Sequence, residues 1–232
     1  MPKKICQSFL FKNWEEKNKN FKMTLDLIQA VEQENIDVIK QLLADDHTDI
    51  NYIRRTKDGP NESNRTALYL AVEKENIEII KLLLANNEID VNIIHEETNY
   101  FKRKCSEQTI TESKTALHLA VEKGNLEIIK LLMSNDKLDV NILFDHFQTF
   151  PKESFKKSAL YMAVEDGNIE IAKLLLSNDT IDVNLSMSKT ESSGNHIIKS
   201  PLYAAIEKRR NQMVKLLLSN DKIDVNLFFI LI

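Results

Sequence analysis

The sequence is poor in glycine, with only four glycines among 232 residues. A phosphate-binding loop needs several closely spaced glycines so that backbone N–H groups can approach the phosphates, and this chain has no such cluster. It also has no G-x-S-x-G element of the kind that carries a nucleophilic serine. No two of its five histidines have the spacing of three to five residues that zinc ligands often show. We therefore expect no cofactor, no metal ion and no catalytic site.

Cysteine is equally scarce, and the two cysteines, Cys6 and Cys105, match no metal-ligand spacing. We interpret both as free thiols in a reducing compartment, which favours the cytoplasm and leaves the nucleus open. No stretch approaches the run of about 20 apolar residues that a membrane-spanning helix needs. The formal net charge of −4 indicates no broad positive patch for phosphate groups. We therefore expect no membrane span and no nucleic acid partner.

The chain does contain a block of 27 residues that occurs four times clearly and once, at the start, in a weaker form. One copy reads TALHLAVEKGNLEIIKLLMSNDKLDVN, from Thr115 to Asn141. The equivalent alanines, 41, 49, 43 and 42 residues apart, are Ala30, Ala71, Ala120, Ala163 and Ala205. The length variation therefore lies between the blocks. The pattern indicates a repeat array, with units at about 24–52, 65–93, 114–142, 157–185 and 199–227.

Each block predicts two short helices. In the copy quoted above, Thr115 is a natural N-cap for a first helix over Ala116–Lys123, and Gly124 supplies a left-handed turn before a second helix over residues 126–134. In the preceding copy, the second helix is apolar over an arc far wider than one face of an amphipathic helix. A lone helix pair cannot cover such an arc, whereas copies stacked on both sides can. The pattern therefore predicts a stack of helix pairs.

These residues resemble the ankyrin repeat family in three places: T-A-L-H-L-A from Thr115, G-N-L-E-I-I-K-L-L from Gly124 and D-V-N from Asp139. The resemblance covers nearly the whole chain and recurs five times. It implies an all-α solenoid of helix–turn–helix units with long hairpin or finger insertions. It also implies that His118 has a structural role near its helix cap, and that the asparagine of D-V-N stabilises the turn into the finger.

Three copies depart from the family pattern at the turn between the two helices, where Glu34, Glu75 and Arg210 stand in place of glycine. A left-handed conformation costs such residues on the order of 1 kcal/mol. We therefore expect these copies to have either a strained turn or a turn of a different kind.

The segments between the blocks are the first candidates for a binding face, because insertions in repeat arrays map to loops on one face. Two of these segments carry aromatic and basic residues, which are common at interfaces. The first cluster is Tyr100, Phe101, Lys102, Arg103 and Lys104. The second contains Phe144, His146, Phe147, Phe150 and Phe155. The alternative is that these rings fold back onto the stack as small cores, because exposed rings on a free monomer favour aggregation.

A second candidate surface lies at the ends of the first helices. By the family resemblance these positions line a concave groove. The candidates are Glu73, Lys74, Glu122, Lys123, Glu165 and Asp166. The alternative is a charged, solvated face that keeps the protein soluble.

Both ends of a repeat array need a cover. Residues 1–23 are predicted to cap the first copy, because their apolar residues have nearly helical spacing. Residues 228–232 form an apolar tail with three interpretations: it folds over the end of the array, it indicates a piece of a longer array, or it drives self-association. A monomer is the main expectation.

The sequence therefore predicts an intracellular scaffold or adaptor that binds a protein partner through its groove and fingers. The abundant carboxylates recur at the spacing of the repeat, which argues for capping and solubility instead of catalysis. Two alternatives stay open. One is a regulatory or inhibitory subunit of an enzyme, and the other is a fragment of a longer ankyrin array attached to another functional domain.

Overall fold

The computed structural model of the protein describes residues 26–103, 106–227 and 229–231. The predicted N-terminal capping segment, both cysteines and Lys104 lie outside the described residues. The chain divides into two compact units, Met1–Thr48 and Asp49–Ile232.

Within the described residues there are ten helices, which form one pair in the first unit and four pairs in the second. The pair of the first unit is α1 (Leu27–Glu32) and α2 (Ile36–Leu43). The pairs of the second unit are α3 (Ala67–Glu73) and α4 (Ile77–Leu84), α5 (Ala116–Lys123) and α6 (Leu126–Met133), α7 (Ala159–Asp166) and α8 (Ile169–Leu176), and α9 (Pro201–Glu207) and α10 (Asn211–Leu218).

A capping side chain precedes nearly every helix and accepts a hydrogen bond from a backbone N–H of the first turn. The caps of the first helices are Asp26, Thr66, Thr115, Ser158 and Ser200. The caps of the second helices are Asn35, Asn76, Asn125 and Asn168. The exception is Arg210 before α10, which makes no such side-chain bond. Local sequence signals therefore fix where the helices begin.

The turn between the two helices of a pair is left-handed in all five described repeats. Gly124 and Gly167 adopt it with φ of 70° and 74°. The non-glycine residues that adopt it, with φ between 53° and 56°, are Glu34, Glu75 and Arg209. These repeats therefore use the same turn at a strain of on the order of 1 kcal/mol each. In the last repeat the strained residue is Arg209, so the assignment of Arg210 is wrong by one position, because Arg210 occupies the cap position.

In the second unit the helix pairs stack side by side in chain order. The first helices pack α3 against α5, α5 against α7 and α7 against α9, and the second helices follow the same order. Ala71 and Ala120 are fully buried, which lets neighbouring first helices approach closely. Ile79, Ile80 and Leu83 of α4 are fully buried as well. Packing against neighbouring helices thus turns the wide apolar arc into core.

The prediction of an all-α fold is wrong, because the segments between the helix pairs form one antiparallel sheet. Among the described residues it has nine strands in chain order. The strands are β1 (Arg54–Asp58), β2 (Asn61–Arg65), β3 (His95–Arg103), β4 (Ser106–Lys114), β5 (Leu143–Thr149), β6 (Lys152–Ser158), β7 (Met187–Thr190), β8 (His196–Lys199) and β9 (Phe229–Leu231). The hairpins β1–β2, β3–β4, β5–β6 and β7–β8 are named fingers 1 to 4. The strand β9, from the apolar tail, pairs with β8.

The sheet forms because each finger lies beside another finger. Finger 2 is rich in residues that favour strands, such as Thr98, Tyr100 and Ile110. A single hairpin is only marginally stable in water. Stacking of the repeats brings the hairpins together, so that β2 pairs with β3, β4 with β5 and β6 with β7. Backbone groups at the sides of most fingers thereby gain partners, and hairpins predicted as separate fingers become parts of one sheet.

The two faces of the sheet can be told apart by register. Directly paired residues lie on the same face, and successive residues along a strand lie on opposite faces. Lys114, Lys157 and Lys199 reach glutamates on the first helices. The face that carries these lysines is named the inner face, and the opposite one the outer face.

Candidate protein-binding surfaces

A basic residue at the end of each finger forms an ion pair with a glutamate eight residues further on, in the following helix. The N···O distances are 3.2 Å for Arg65–Glu73, 2.9 Å for Lys114–Glu122, 2.6 Å for Lys157–Glu165 and 2.7 Å for Lys199–Glu207. These pairs tie each finger to its own helix pair. They also neutralise glutamates that were predicted as groove residues, among them Glu73, Glu122 and Glu165.

Lys114 is the most enclosed of these cations. Its ammonium nitrogen also lies 3.1 Å from Glu112 and 5.7 Å from the ring centre of Phe144. Burial by itself would lower the pKa of Lys114, but the hydrogen bond and charge of Glu122, together with the charge of Glu112, raise that pKa above its usual value. Lys114 therefore stays charged and holds both carboxylates at the base of finger 2.

Part of the second predicted cluster is a small aromatic core on the inner face. Phe144 is only 5% exposed, and its ring centre lies 5.8 Å from that of Phe155. The His146 ring stacks on Phe155 with centres 4.4 Å apart, and its Nδ1 lies 3.2 Å from a carboxylate oxygen of Glu112. The ammonium of Lys157 lies 4.4 Å from the Phe155 ring centre. These contacts join finger 2 to finger 3 and leave Phe144 little free surface.

The other two rings of that cluster are exposed. Phe147 follows His146 along β5 and therefore lies on the outer face, where it is 39% exposed. Phe150 lies at the hairpin turn of finger 3 and is 61% exposed. The alternation of a strand thus separates rings that the sequence placed in one cluster.

Finger 2 is the longest hairpin and extends beyond both neighbouring fingers. Its strands have nine residues each, whereas pairing with β2 reaches only Thr98 and pairing with β5 only Ile110. Side chains of the neighbouring fingers cap the ladder at these points. The Asn61 side-chain oxygen accepts a hydrogen bond from the backbone N–H of Tyr100 at 2.7 Å. The Thr149 hydroxyl accepts one from the N–H of a β4 residue at 2.8 Å.

The described residues of the first predicted cluster lie on this projecting part and are divided between the two faces. Phe101 lies on the inner face and is 45% exposed, while Tyr100 and Lys102 lie on the outer face. A hydrogen bond to Glu107 raises the pKa of Tyr100. The backbone of Arg103 belongs to β3. The structure therefore brings Tyr100 and Lys102 together and sends Phe101 to the other side.

Three of the four predicted groove residues of the third and fourth repeats line one cavity. Glu122, Lys123 and Asp166 line a space of about 530 Å³ beside the left-handed turns. The ammonium of Lys123 lies 3.3 Å from Glu75 of the preceding repeat. Asp166 is exposed, as is Lys74 at the end of α3. The groove therefore has a charged rim that is largely organised by ion pairs within the chain.

A ladder of asparagine side chains joins consecutive repeats. The Asn92 side-chain nitrogen donates to the backbone carbonyl of Lys137 at 2.7 Å, and its oxygen accepts from the N–H of Asp139 at 2.8 Å. The same pair of bonds is made by Asn51, Asn141 and Asn184. Sequence reasoning gave this asparagine a role within its own turn, but missed the role between repeats. The recurrence of D-V-N was the available signal.

Two histidines are buried beside helix caps. The Nδ1 atom of His118 accepts a hydrogen bond from the backbone N–H of Thr115 at 3.2 Å and completes a capping box. The Nε2 atom of His95 lies 3.4 Å from the Thr66 hydroxyl, and its ring centre lies 4.1 Å from that of Tyr69. Burial lowers the pKa of both histidines to about 4. The structural role expected of His118 is confirmed.

Within residues 26–103, 106–227 and 229–231, no helix is long and apolar enough to cross a membrane. The same residues contain no group of three histidine, cysteine, aspartate or glutamate side chains that could hold a metal ion. In comparisons with known proteins, a family model described as ankyrin repeats in three copies matches residues 2–95, 27–143, 93–187 and 139–228. No curated protein matches the chain.

Proposed function

Since the chain belongs to the ankyrin repeat family, whose members are generally protein–protein interaction modules, we propose that it is a non-catalytic scaffold that binds a partner protein through its fingers and its groove. The observation that carries this proposal is the projection of finger 2. Its tip extends beyond the neighbouring fingers, and the Phe101 side chain there is 45% exposed. An aromatic ring held on a fixed hairpin buries a large area on binding at a small cost in entropy.

The tips of fingers 2 and 3 supply the apolar anchors of the proposed interface. Phe101 and Phe150 are the most exposed rings of the two predicted clusters. Phe147, Tyr100 and Lys102 extend the contact onto the outer face. A central set of aromatic anchors surrounded by polar groups is the usual composition of a protein interface.

The groove supplies the charged rim of the same interface. A partner segment bound along the C-terminal ends of the first helices would meet Lys74, Glu122, Lys123 and Asp166. The ion pairs at the finger bases support this arrangement, because they fix each finger relative to its helix pair before the partner arrives. Such preorganisation lowers the entropy cost of association.

Affinity capture with the intact chain tests this proposal. The bait is compared with a Tyr100→Ala/Phe101→Ala double variant and with Tyr52→Ala, which removes an aromatic ring that is 48% exposed at the base of finger 1. We expect the double variant to lose recovery of the captured protein by about tenfold or more, as for an interface hot spot, and Tyr52→Ala to retain it. Undiminished capture by the double variant, with an unchanged circular dichroism spectrum, would reject finger 2 as the main contact.

A further inference from the structure

The strand β1 forms one edge of the sheet. Among the described residues, β1 pairs with β2 alone. Opposing residues of an antiparallel pair alternate between bonding each other and pointing their N–H and C=O groups away. A two-residue turn with Gly59 at φ 60° closes finger 1, which makes Asp58 and Asn61 a bonded pair. Arg55 and Lys57 therefore point their backbone groups away from β2, toward the open edge.

The neighbouring strands require the same alternation. Glu62 is opposite Lys57 on β1 and opposite Thr98 on β3. The N–H of Tyr100, two residues beyond Thr98, is directed to the β2 side, where it meets Asn61. The backbone N–H and C=O groups of Thr98 therefore also point toward β2, where they form hydrogen bonds with the backbone of Glu62. The backbone groups of Glu62 thus form their hydrogen bonds with β3. The backbone groups of Lys57 therefore form none with β2.

The two residues with open backbone groups are also basic and exposed. The side chains of Arg55 and Lys57 both lie on the outer face, since they stand two apart on the strand. Lys57 pairs with Glu62 across the hairpin, and no ion pair is recorded for Arg55 within the described part of the chain. Both side chains line a shallow cavity of about 350 Å³ that reaches Glu96 on β3.

The positive charges of Arg55 and Lys57 favour one kind of added strand over another. A second copy of the chain pairing through β1 would bring like charges opposite each other, which is destabilising. An added strand with acidic side chains would instead place each carboxylate beside a basic residue. Because outward-pointing residues alternate, the acidic residues must stand two apart to face Arg55 and Lys57 on one face.

We propose that the β1 edge binds an extended peptide segment of a partner protein that carries acidic side chains at alternate positions. The segment joins the sheet as an added antiparallel strand through backbone hydrogen bonds to Arg55 and Lys57. On the outer face its carboxylates pair with the Arg55 guanidinium and with the Lys57 ammonium, which keeps its contact with Glu62. The proposal rests on the role of the chain as a protein-binding module. It uses a surface separate from the tips of fingers 2 and 3.

A pair of matched peptides tests the backbone part of this proposal. The probe is a short fluorescein-labelled peptide of alternating glutamate and threonine, and its binding to the full chain is followed by fluorescence polarisation. One derivative has its glutamate nitrogens methylated, and the other its threonine nitrogens. Glutamates facing Arg55 and Lys57 use their N–H groups to bond β1, while the threonine N–H groups point away. We expect glutamate methylation to weaken binding about tenfold or more and threonine methylation to leave it within about twofold.

Variants of the chain test the charge part and separate this site from the finger tips. Arg55→Gln keeps the backbone N–H and should weaken binding about two- to fivefold, as expected for one exposed ion pair. Phe101→Ala should leave peptide binding unchanged, whatever its effect on partner capture. No measurable binding of the probe, equal effects of the two methylated peptides, or loss of binding in Phe101→Ala would each overturn the proposal.

Discussion

We expect acid to lower the free energy of unfolding through His95 and His118, the two buried histidines. Burial lowers the pKa of each from 6.5 to about 4 in the folded chain. The unfolded chain takes up protons near the ordinary value, so it is protonated first as the pH falls below 6.5. The stability that is present above pH 6.5 is therefore lost progressively down to about pH 4, where the folded histidines are protonated as well.

The size of this effect follows from the separation of the two pKa values. The pKa of each histidine differs by about 2.5 between the unfolded and the folded chain. This difference lowers the free energy of unfolding at acid pH by on the order of 3 kcal/mol for each histidine, because one pKa unit corresponds to about 1.4 kcal/mol. Within the window, each histidine contributes a slope of about 1.4 kcal/mol per pH unit. The total stability of a typical domain is about 5–15 kcal/mol, so the loss through both histidines on acidification is comparable with that total.

Urea unfolding followed by far-UV circular dichroism, at several pH values between 6.5 and 4, measures this slope. The comparison protein carries His95→Phe and His118→Tyr, because Phe144 and Tyr161 occupy the equivalent positions in other repeats. The two proteins share every other ionisable group, so the difference between their stability profiles isolates the histidines. The double variant should lose less stability on acidification. Parallel profiles for the two proteins would refute the assignment of acid sensitivity to these rings.

Two further predictions concern stability. Asn92→Ala removes two hydrogen bonds between repeats and should lower the free energy of unfolding by about 1–2 kcal/mol. Its control, Asn226→Ala, should change the free energy of unfolding by less than about 0.5 kcal/mol, because Asn226 makes no cross-repeat bond within the described chain. Equal effects of the two substitutions in urea titrations would contradict the ladder. Phe144→Ala leaves a cavity at a buried site and should lower the free energy of unfolding by about 3–5 kcal/mol. Phe150→Ala, at an exposed tip, should leave the free energy of unfolding nearly unchanged. Similar melting temperatures of the two variants would argue against the aromatic core.

The helices could be predicted from sequence because their signals are local. The predicted first helix of the third block coincides with α5, and the predicted second helix exceeds α6 by one residue, Ser134, which is its C-cap. A cap residue, a left-handed turn and an apolar arc all lie within a few positions of the helix they define. The family resemblance drawn from the same residues is confirmed by the family match.

The sheet could not be predicted in the same way, because its stabilising contacts are not local. The pairing of Glu112 with His146 joins residues from two different repeats, and nothing in either segment alone specifies it. The strands are also mostly polar, so the alternation of hydrophobic and polar residues that usually marks a half-buried strand is weak. Stacking of the helices creates the sheet by bringing the hairpins side by side.

The candidate site was divided for the same reason. A run such as residues 100–104 reads as one cluster only if the segment is a loop. Once it is a strand, Tyr100 and Lys102 share a face and Phe101 lies on the other. Phe144 and Phe147, three apart, separate likewise, and the first becomes core while the second stays exposed.

The fingers are joined to the stack by repeating contacts, and this explains how they differ so much in length. An asparagine of the cross-repeat ladder precedes finger 2, and Lys114 at its end is paired with Glu122. Equivalent contacts flank finger 4, whose strands have four residues instead of nine. Lengthening a segment between two fixed points costs little free energy, since closure entropy grows only with the logarithm of length. The tips can therefore vary in reach and chemistry while the helix stack beneath them stays the same, which is the property that a binding surface on a repeat scaffold requires.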